Sequence, residues 1–283
     1  MIQTVAQKTG GSIRKVCAVL GEARSSFYHA STPTATQVAD ASLGDLIEAV
    51  FRHHRRRYGY RRLAQELSDR GVSCAPARIR RIMAQRALHA IQPKTFVPRT
   101  SDGRADKPSP NLISGLPLPS APDRAWAGDI TFIPTSAGWL YLAVVIDLCS
   151  RRVIGWSLAA HMRCDLVLAA LLQALQTRLA NGVIFHSDRG SQYGSTPFRN
   201  ALAGAGMRQS MSARANPYEN AWTESFIGTL KLEMLQDGCF EDAGDARTEI
   251  FEYIEGYYNT HRKHSALGYK TPSQFEAQIH STN

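Results

Sequence analysis

Three acidic residues are placed where phosphoryl-transfer chemistry needs carboxylates. Asp129 lies inside an apolar segment typical of a strand, Asp188 directly follows another such segment, and Glu224 lies in a long helical segment. If the two strands are neighbours in a sheet, their ends and a crossing helix bring the three carboxylates together. Anions this close require cations between them. Hard divalent ions with oxygen ligands, Mg²⁺ above all, fit such a set, and two ions stabilise the attacking and leaving oxygens of phosphoryl transfer.

Residue type alone leaves other carboxylate sets open. The chain has 24 acidic residues, and many triples can be drawn from them. Asp147 and Asp165 also lie near predicted strand or helix ends. The choice between these sets depends on the surrounding elements and on the flanking sequence.

The sequence from residue 126 onwards predicts a mixed α/β domain. Alternating apolar patterns indicate three consecutive strands, the second and third antiparallel. Strands and helices then alternate, so the order predicts a five-stranded mixed sheet with helices on both faces and with the first and fourth strands adjacent. The predicted strands are 126–133, 139–146, 152–156, 183–187 and 207–211, and the predicted helices are 164–179, 196–203, 217–235 and 243–258.

A proline-rich stretch divides the chain. Residues 93–122 hold seven of the 13 prolines, which break both helix and sheet hydrogen bonding. We therefore predict a helical region over 1–92, an extended linker over 93–122 that lies along a ligand or a partner subunit, a catalytic core over 123–258 and a C-terminal tail over 259–283. The longest apolar run has eight residues, well below the about 20 of a membrane span. With no signal-peptide pattern at the N-terminus, we expect a cytoplasmic location.

The positive charge is concentrated in the N-terminal part. Residues 1–110 contain 19 basic and 8 acidic residues, whereas residues 111–283 contain 14 and 16. A basic region joined to a near-neutral one indicates that one part binds a polyanion and the other acts on it. Solubility alone is the alternative, but it predicts no such segregation.

The N-terminal region is predicted to contain two helix-turn-helix-like units. The first has a helix over 12–20, ended by Gly21, and a second helix capped by Ser25 or Ser26. In the second unit, Ser73 is expected to cap a helix rich in arginine. Arginines near the turn and along this helix suit binding in a DNA groove, and a solvated helical face is the alternative. The candidate DNA-binding residues here are Arg56, Arg57, Arg61, Arg62, Arg78, Arg80 and Arg81.

The sequence motifs around the three carboxylates resemble those of a known family. Asp188 and Glu224 are separated by 35 residues, as in the D,D-35-E signature of the retroviral-integrase superfamily. WAGDIT, HSDRGSQY and ENAWTESFIGTLKLE are similar to the OrfB transposases of insertion-sequence family three. HHRRRYGYRRLAQEL and YYNTHRKHSALGYKTPSQF also match, so the resemblance covers nearly the whole chain. It implies an RNase H-like catalytic fold, Mg²⁺ or Mn²⁺ dependence, and DNA transposition.

The resemblance also implies roles for individual residues. Asp129 bridges two metal ions, and Asp188 and Glu224 each hold one of them. Water cleaves a phosphodiester at the element end, and the freed 3′-OH attacks a second phosphodiester, without a covalent enzyme intermediate. Lys231, two helical turns after Glu224, reaches a DNA phosphate or faces solvent. Asn220, one turn before Glu224, orients that carboxylate or caps the helix.

Several other residues are candidates for the site, and some of them have two alternative interpretations. His186 shares a strand face with Asp188 and is either a supporting residue at the site or a buried structural histidine. Gln192 and Tyr193, with Ser191, follow Asp188 in a glycine-bearing loop suited to hold a DNA backbone. Arg262 and His264 contact a phosphate or dock a helix. A zinc site at His53 and His54 is rejected, because the cysteine spacing it requires is absent.

Three functional classes compete for this sequence. The leading one is a DNA transposase, acting on the terminal inverted repeats of its own element and on target DNA, as a homo-oligomer on DNA at the bacterial nucleoid. The others are a DNA-binding protein without activity, and a general nuclease of RNase H type. The family often works as a fusion with the product of an upstream reading frame, so that product is an expected partner.

Overall fold

The computed structural model describes residues 2–28, 34–92, 108–212, 221–236 and 238–282. The chain forms two compact units, Met1–Ala90 and Ile91–Asn283. In the described residues, no helix is both long enough and apolar enough to span a membrane.

The described part of the N-terminal unit is helical. Its helices are α1 (Ile2–Thr9), α2 (Ile13–Val19), α3 (Arg24–Tyr28), α4 (Ala35–His53), α5 (Tyr60–Asp69) and α6 (Pro76–Gln85). Helix α1 was not predicted from the sequence. The second predicted unit consists of α4, α5 and α6.

Two predicted helix caps were wrong. Helix α3 begins at Arg24, so Ser25 lies inside the helix instead of capping it. Helix α6 begins at Pro76, three residues after Ser73. Proline is favoured in the first turn of a helix because its missing N–H would be unbonded there and its φ is already helical. Here that preference outweighs the capping ability of the serine.

Helices α4, α5 and α6 share one hydrophobic core. Arg86, just after α6, crosses α4 at Gly44, where a β-carbon would lie 2.3 Å from the arginine Nε. Its guanidinium donates to Asp45 at 2.8 Å and to the carbonyl of Ala41 at 2.7 Å. A glycine within a long helix is costly, and this close crossing explains its presence. The buried residues of the core are Ile47, Val50, Phe51, Leu63, Leu67, Ile79 and Ile82.

The second unit contains the predicted five-stranded mixed sheet. Its strand order is β3-β2-β1-β4-β5; β2 is antiparallel to both β1 and β3, whereas β4 is parallel to both β1 and β5. The first and fourth strands are adjacent, as the element order predicted. The strands are β1 (Ala125–Thr135), β2 (Gly138–Asp147), β3 (Val153–Ala159), β4 (Ile184–Ser187) and β5 (Arg208–Met211).

Helices cover both faces of the sheet. On one face, α7 and α9 pack over Trp126, Val145 and Phe185. On the other, α10 and α11 pack over Leu142 and Val144. The helices of this unit are α7 (Cys164–Thr177), α8 (Ser191–Gly194), α9 (Thr196–Gly204), α10 (Ala221–Met234), α11 (Ala243–Phe251) and α12 (Pro272–Thr282), with a π-helix over Glu252–Tyr258 and a 3₁₀ turn over Ser265–Leu267.

The described end of the proline-rich segment lies along β5, an edge of the sheet. The amide of Leu112 donates to Ser210 Oγ at 2.9 Å, and the amide of Met211 donates to the carbonyl of Pro110 at 3.4 Å. Exposed edge strands pair readily with other chains unless they are covered. The sequence predicted that this segment lies along a ligand or a partner subunit, whereas residues 110–112 lie along the chain's own sheet.

The opposite edge, β3, is covered by side chains. The amide of Asn259 donates to the carbonyl of Val153 and its oxygen accepts the N–H of Val153, both at 3.0 Å. Arg247 donates to the carbonyl of Leu158 at 3.1 Å. These side chains bind the outward-facing backbone groups that another strand would otherwise bind.

The C-terminal segment packs on the same unit through Glu276 on α12. Arg178 donates to both oxygens of Glu276 at 2.8 Å, Arg152 donates at 2.9 Å and Ser150 Oγ at 2.7 Å. Although burial opposes ionisation, the hydrogen bonds of Ser150 and Arg178 lower the pKa of Glu276. The ion pairs therefore attach α12 to the ends of α7 and β2.

Candidate active site

Asp129 and Asp188 lie side by side at the centre of the sheet. Asp129 is on β1, the central strand, and Asp188 directly follows β4. The parallel register pairs Ala127 with His186, so two residues further along both strands Asp129 is level with Asp188. Residues two apart in a strand share a face, and neighbouring strands are about 4.8 Å apart. The topology thus brings together two carboxylates that are distant in the sequence.

Backbone amides fix the orientation of both aspartates. Asp129 Oδ1 accepts the N–H of Ile130 at 2.8 Å, and Asp188 Oδ1 accepts the N–H of Gly190 at 2.9 Å. A β-carbon at Gly190 would lie 3.0 Å from Asp188 Oδ1, tighter than most such contacts. The glycine that follows Asp188 therefore leaves room for the carboxylate to turn back on its own loop.

Glu224 lies in the first turn of α10, on the sheet face where Asp129 points. Asp129 pairs with Val144 across β1 and β2, and Val144 packs in the same core as Phe226 and Leu230 of α10. The side chain of Glu224 is exposed. The helix is thus anchored on the sheet by its apolar side, while Glu224 reaches the solvent-accessible end of the site.

The three carboxylates and Lys231 share one electrostatic environment. Burial and the charges of Asp188 and Glu224 raise the pKa of Asp129 to about 8, although the N–H of Ile130 and the charge of Lys231 oppose the shift. In turn, burial lowers the pKa of Lys231, and the charge of Asp129 raises it. The charges of Lys231 and Asp129 thus act on each other, and the contact of Lys231 with a DNA phosphate stays a prediction.

The donor set suits a hard divalent cation. Among the described residues, no three His, Cys, Asp or Glu side chains already form a group that could hold a metal ion. Burial together with the charges of Asp188 and Glu224 raises the pKa of Asp129. Mg²⁺ or Mn²⁺, which bind oxygen donors, would offset this accumulation of negative charge.

The two competing carboxylates lie elsewhere. Asp147 is fully buried at the end of β2, where it accepts the N–H groups of Asp123, Cys149 and Ser150 at 2.8–2.9 Å. It holds the turn between β2 and β3. Asp165, in the first turn of α7, is exposed and lies 3.4 Å from an Arg163 nitrogen. Neither carboxylate is among the main causes of the shift in the pKa of Asp129.

The residues around Asp188 divide between core and surface. His186 is fully buried, and its Nδ1 lies 2.9 Å from Ser210 Oγ on β5, which fits the structural reading. Tyr193 is only 2% exposed and packs against Phe185 and Phe198. The predicted contact of the Tyr193 side chain with DNA is therefore wrong for this structure, because the loop folds into α8 and turns the ring inward.

Gln192 and Asn220 complete the predicted set. Gln192 is partly exposed, and its side-chain amide donates to the carbonyl of Met162 at 2.8 Å. Its contact with DNA stays a prediction. Asn220 lies outside the described residues, so its predicted role at the start of α10 stays a prediction as well.

Four of the seven candidate arginines of the N-terminal unit fall into two groups of two. Arg78 and Arg81 of α6 both bind Asp40 of α4, at 2.6 and 2.5 Å, and their hydrogen bonds lower the pKa of that carboxyl. Arg61 and Arg80 are exposed, and both lie over the ring of Tyr60, at 5.3 and 6.0 Å. Tyr60 was not predicted as a site residue, although an aromatic ring between two arginines suits a nucleic-acid surface.

The remaining three arginines surround the turn after α4. Arg56 is exposed and donates to the carbonyl of His89 at 3.4 Å. Arg62 donates to the carbonyl of Arg57 at 3.4 Å and lies over the ring of Tyr58 at 5.7 Å. Arg57 and Arg62 are only partly exposed, so these two hold the turn together while Arg56 remains at the surface.

Each of the two units matches known protein families. Residues 37–96 match a family described as HTH-like domain, and residues 119–217 and 205–272 match two families described as integrase core domain. The helix-turn-helix match covers the second of the two predicted units. Together with the mixed sheet and its carboxylates, these matches define a DNA-integrating protein with an RNase H-like core.

Named relatives specify the family. The chain is 41% identical to the transposase for insertion sequence element IS904 of Lactococcus lactis, over 86% of this chain and 97% of that one. It is 37% identical to the transposase InsF for insertion sequence IS3A of Escherichia coli K12, over 94% of both chains. The chain therefore belongs to the transposases of the IS3 family of insertion sequences, and its function is DNA transposition.

Solved structures are more distant. A simian T-cell lymphotropic virus intasome in complex with the PP2A regulatory subunit B56 gamma matches 75% of this chain and 70% of its own, with 19% identity and a TM-score of 0.46. The catalytic core domain of HTLV-2 integrase in complex with magnesium matches 55% of this chain and 97% of its own, with 19% identity and a TM-score of 0.43. At these values the similarity adds nothing to the family assignment.

Proposed function

We propose that this transposase cleaves DNA at the ends of its own insertion sequence and joins the freed 3′-OH to a target strand, in a reaction that depends on divalent metal ions. The observation that carries the proposal is the pairing of Asp129 with Asp188 at the centre of the sheet, with Glu224 and Lys231 acting on the same carboxyl. The proposed substrates are the terminal inverted repeats of the element and target DNA, so we expect the working enzyme at the bacterial nucleoid in the cytoplasm.

The chain's own groups have distinct proposed roles. Asp129, Asp188 and Glu224 would hold two Mg²⁺ or Mn²⁺ ions per site, Asp129 being shared because it is the central member. When bound, such ions stabilise the negative charge that develops on the attacking and leaving oxygens. Lys231, whose charge acts on Asp129, would supply a positive charge for a DNA phosphate.

The reaction needs no covalent bond to the protein. Water attacks the phosphodiester at the element end, the bond to the 3′ oxygen breaks, and that oxygen leaves as the 3′-OH. This hydroxyl then attacks a target phosphodiester, so that one P–O bond forms and one breaks. Two ends must be joined, so we expect at least a dimer on DNA, with the upstream-frame product as a further partner.

The test uses purified protein with duplex DNA that carries the ends flanking its gene. We expect end nicking and 3′-OH joining with Mg²⁺ or Mn²⁺, and neither with a chelator. A trapped phosphotyrosine or phosphoserine would overturn the mechanism. Cleavage of RNA–DNA hybrids without joining would indicate a nuclease. End binding without cleavage, repeated with the upstream frame fused to this chain, would indicate a DNA-binding protein without activity.

Substitutions in the two arginine groups of the N-terminal unit should differ in their effects on DNA binding and on Tm. We expect Arg61→Gln/Arg80→Gln to weaken binding to end DNA roughly 30-fold or more, since two arginine–DNA contacts of about 1–3 kcal/mol each sum to at least about 2 kcal/mol, and to leave the Tm unchanged. The matched control is Arg78→Gln/Arg81→Gln, which leaves Asp40 without these two partners and should lower the Tm. Fluorescence anisotropy at several salt concentrations and thermal unfolding provide both readouts. Equal losses of binding by both variants would contradict this division.

A further inference from the structure

A buried charge network lies at the end of α10, the helix that carries Glu224. Glu233 and Arg262 are 4% and 5% exposed. Arg262 donates from Nε at 3.0 Å and from Nη2 at 2.8 Å to Glu233 Oε1, and Tyr253 Oη donates to Glu233 Oε2 at 2.9 Å. We call Glu233, Arg262 and Tyr253 the α10 clamp.

The clamp holds the side of α10 that lies opposite Glu224. Glu233 follows Glu224 by nine residues, which is two and a half turns at 3.6 residues per turn. The two side chains therefore lie on opposite sides of the helix, and their exposure agrees, since Glu224 is exposed and Glu233 is buried. A rotation or shift of α10 that moved Glu224 would have to move Glu233 against Arg262.

Arg262 is also linked to α10 indirectly, through Tyr258 of the π-helix. Its guanidinium lies over the ring of Tyr258 at 5.7 Å, and that ring packs edge-on against Phe226 at 4.7 Å. Phe226 is two residues after Glu224. Tyr253 and Tyr258 both belong to the π-helix, whose i→i+5 hydrogen bonding brings residues five apart towards the same side. The π-helix thus lets both tyrosines face the clamp.

The burial of Arg262 decides between its two predicted roles. An arginine that is 5% exposed and binds a buried carboxylate through a fork has no surface from which to contact a DNA phosphate. Although burial opposes its charge, Glu233 raises the pKa of Arg262. The charge of Arg262 is therefore balanced inside the protein by Glu233.

We propose that Arg262 is a positioning residue, which acts through Glu233 to set the rotation and height of α10 and thereby the place of Glu224 and Lys231. The proposal rests on the proposed function for its effect on joining. The planar guanidinium fork defines an orientation that the single ammonium of lysine does not. Charge alone is then insufficient at this position, and the geometry of the fork is what the site requires.

The test compares two arginine-to-lysine substitutions in similar ion pairs. Arg178 binds Glu276 through two contacts of 2.8 Å, with side-chain exposures of 11% and 6%, but it attaches α12 and not the carboxylate helix. Arg262→Lys should slow joining per folded molecule roughly 10- to 100-fold, as expected when a catalytic group is misplaced by about 1 Å. Arg178→Lys should change the joining rate less than about twofold.

Hydrogen exchange gives a readout that needs neither DNA nor metal. We expect Arg262→Lys to accelerate amide exchange in α10, and Arg178→Lys to accelerate it in α12 instead. Unchanged exchange in α10, or an equal loss of joining by the two variants, would overturn the proposal. If the wild type itself joins no DNA, the proposed function fails, while the exchange pattern still decides whether the clamp holds α10.

A third variant separates stability from position. Glu233→Met/Tyr253→Phe/Arg262→Met replaces the whole polar network, and substitution of both partners of a buried pair by apolar groups is often tolerated. We expect this variant to keep a Tm close to the wild type and to join DNA slowly. A variant that is both stable and fully active would show that the clamp does not position Glu224, and so would overturn the proposal.

Discussion

Asp188→Asn and Glu224→Gln should each reduce end cleavage and 3′-OH joining by about 10³-fold or more. Each substitution keeps the size of the side chain and removes one anionic metal ligand. Bound metal ions contribute several kcal/mol to the stability of a phosphoryl-transfer transition state, and each 1.36 kcal/mol is a factor of ten in rate. The measurement is single-turnover joining of end DNA at saturating protein, with Mg²⁺ and separately with Mn²⁺.

The same experiment has a matched control and a clear contrary result. Asp165→Asn also removes one carboxylate, at the start of α7, where the side chain is exposed and pairs with Arg163. It should join DNA at the wild-type rate. Binding of end DNA should persist in all three variants, because the N-terminal unit is unchanged. Joining by Glu224→Gln at the rate of the wild type would remove Glu224 from the proposed site.

The sheet and its two aspartates were predictable because local pattern and chain order determine them. Alternating apolar residues mark the strands, and three strands followed by strand–helix alternation place β4 beside β1. Asp129 and Asp188 then become neighbours through the register alone. Glu224 needed more than pattern, since a carboxylate in a helix is common, and the family resemblance supplied the distinction.

The arginine contacts of the N-terminal unit were not predictable in this way. Helix α6 contains no acidic residue, so its sequence suggests a free positive face. The partner of Arg78 and Arg81 is Asp40, which is 38 and 41 residues earlier in the chain. Only the packing of α4 on α6 shows that Arg78 and Arg81 pair with a carboxylate of the same unit, whereas Arg61 and Arg80 lie exposed over the ring of Tyr60.

In the second unit, the contacts of Tyr193 and of the α10 clamp were likewise not predictable from the sequence. The glycine-bearing stretch after Asp188 reads as a loop, and nothing local indicates that it forms a short helix with Tyr193 buried against Phe185. Likewise, Glu233 reads as an ordinary helical glutamate. Its partner Arg262 lies 29 residues later, beyond a π-helix that no apolar periodicity predicts.

Asp129→Asn should stabilise the metal-free protein at alkaline pH. Burial and the charge of Asp188 raise the pKa of Asp129 from 3.8 to about 8. The unfolded chain releases this proton near pH 4, whereas the folded protein keeps it until about pH 8. The folded state therefore loses stability as the pH rises between these values. Because one pKa unit corresponds to about 1.4 kcal/mol, a rise of about four units should give the variant a gain on the order of 5 kcal/mol at pH 8.

Thermal or urea unfolding in a chelator, at pH values from 5 to 9, measures this effect as the difference between variant and wild type. The difference should be small at the acidic end and grow as the pH rises. Glu224→Gln is the control, because its exposed side chain should change stability little. Added Mn²⁺ should raise the Tm of the wild type and not that of Asp129→Asn, since a bound ion stabilises only a folded state that holds it. A difference independent of pH would show that Asp129 is not held protonated by its neighbours, and that the carboxylates do not form one charged site.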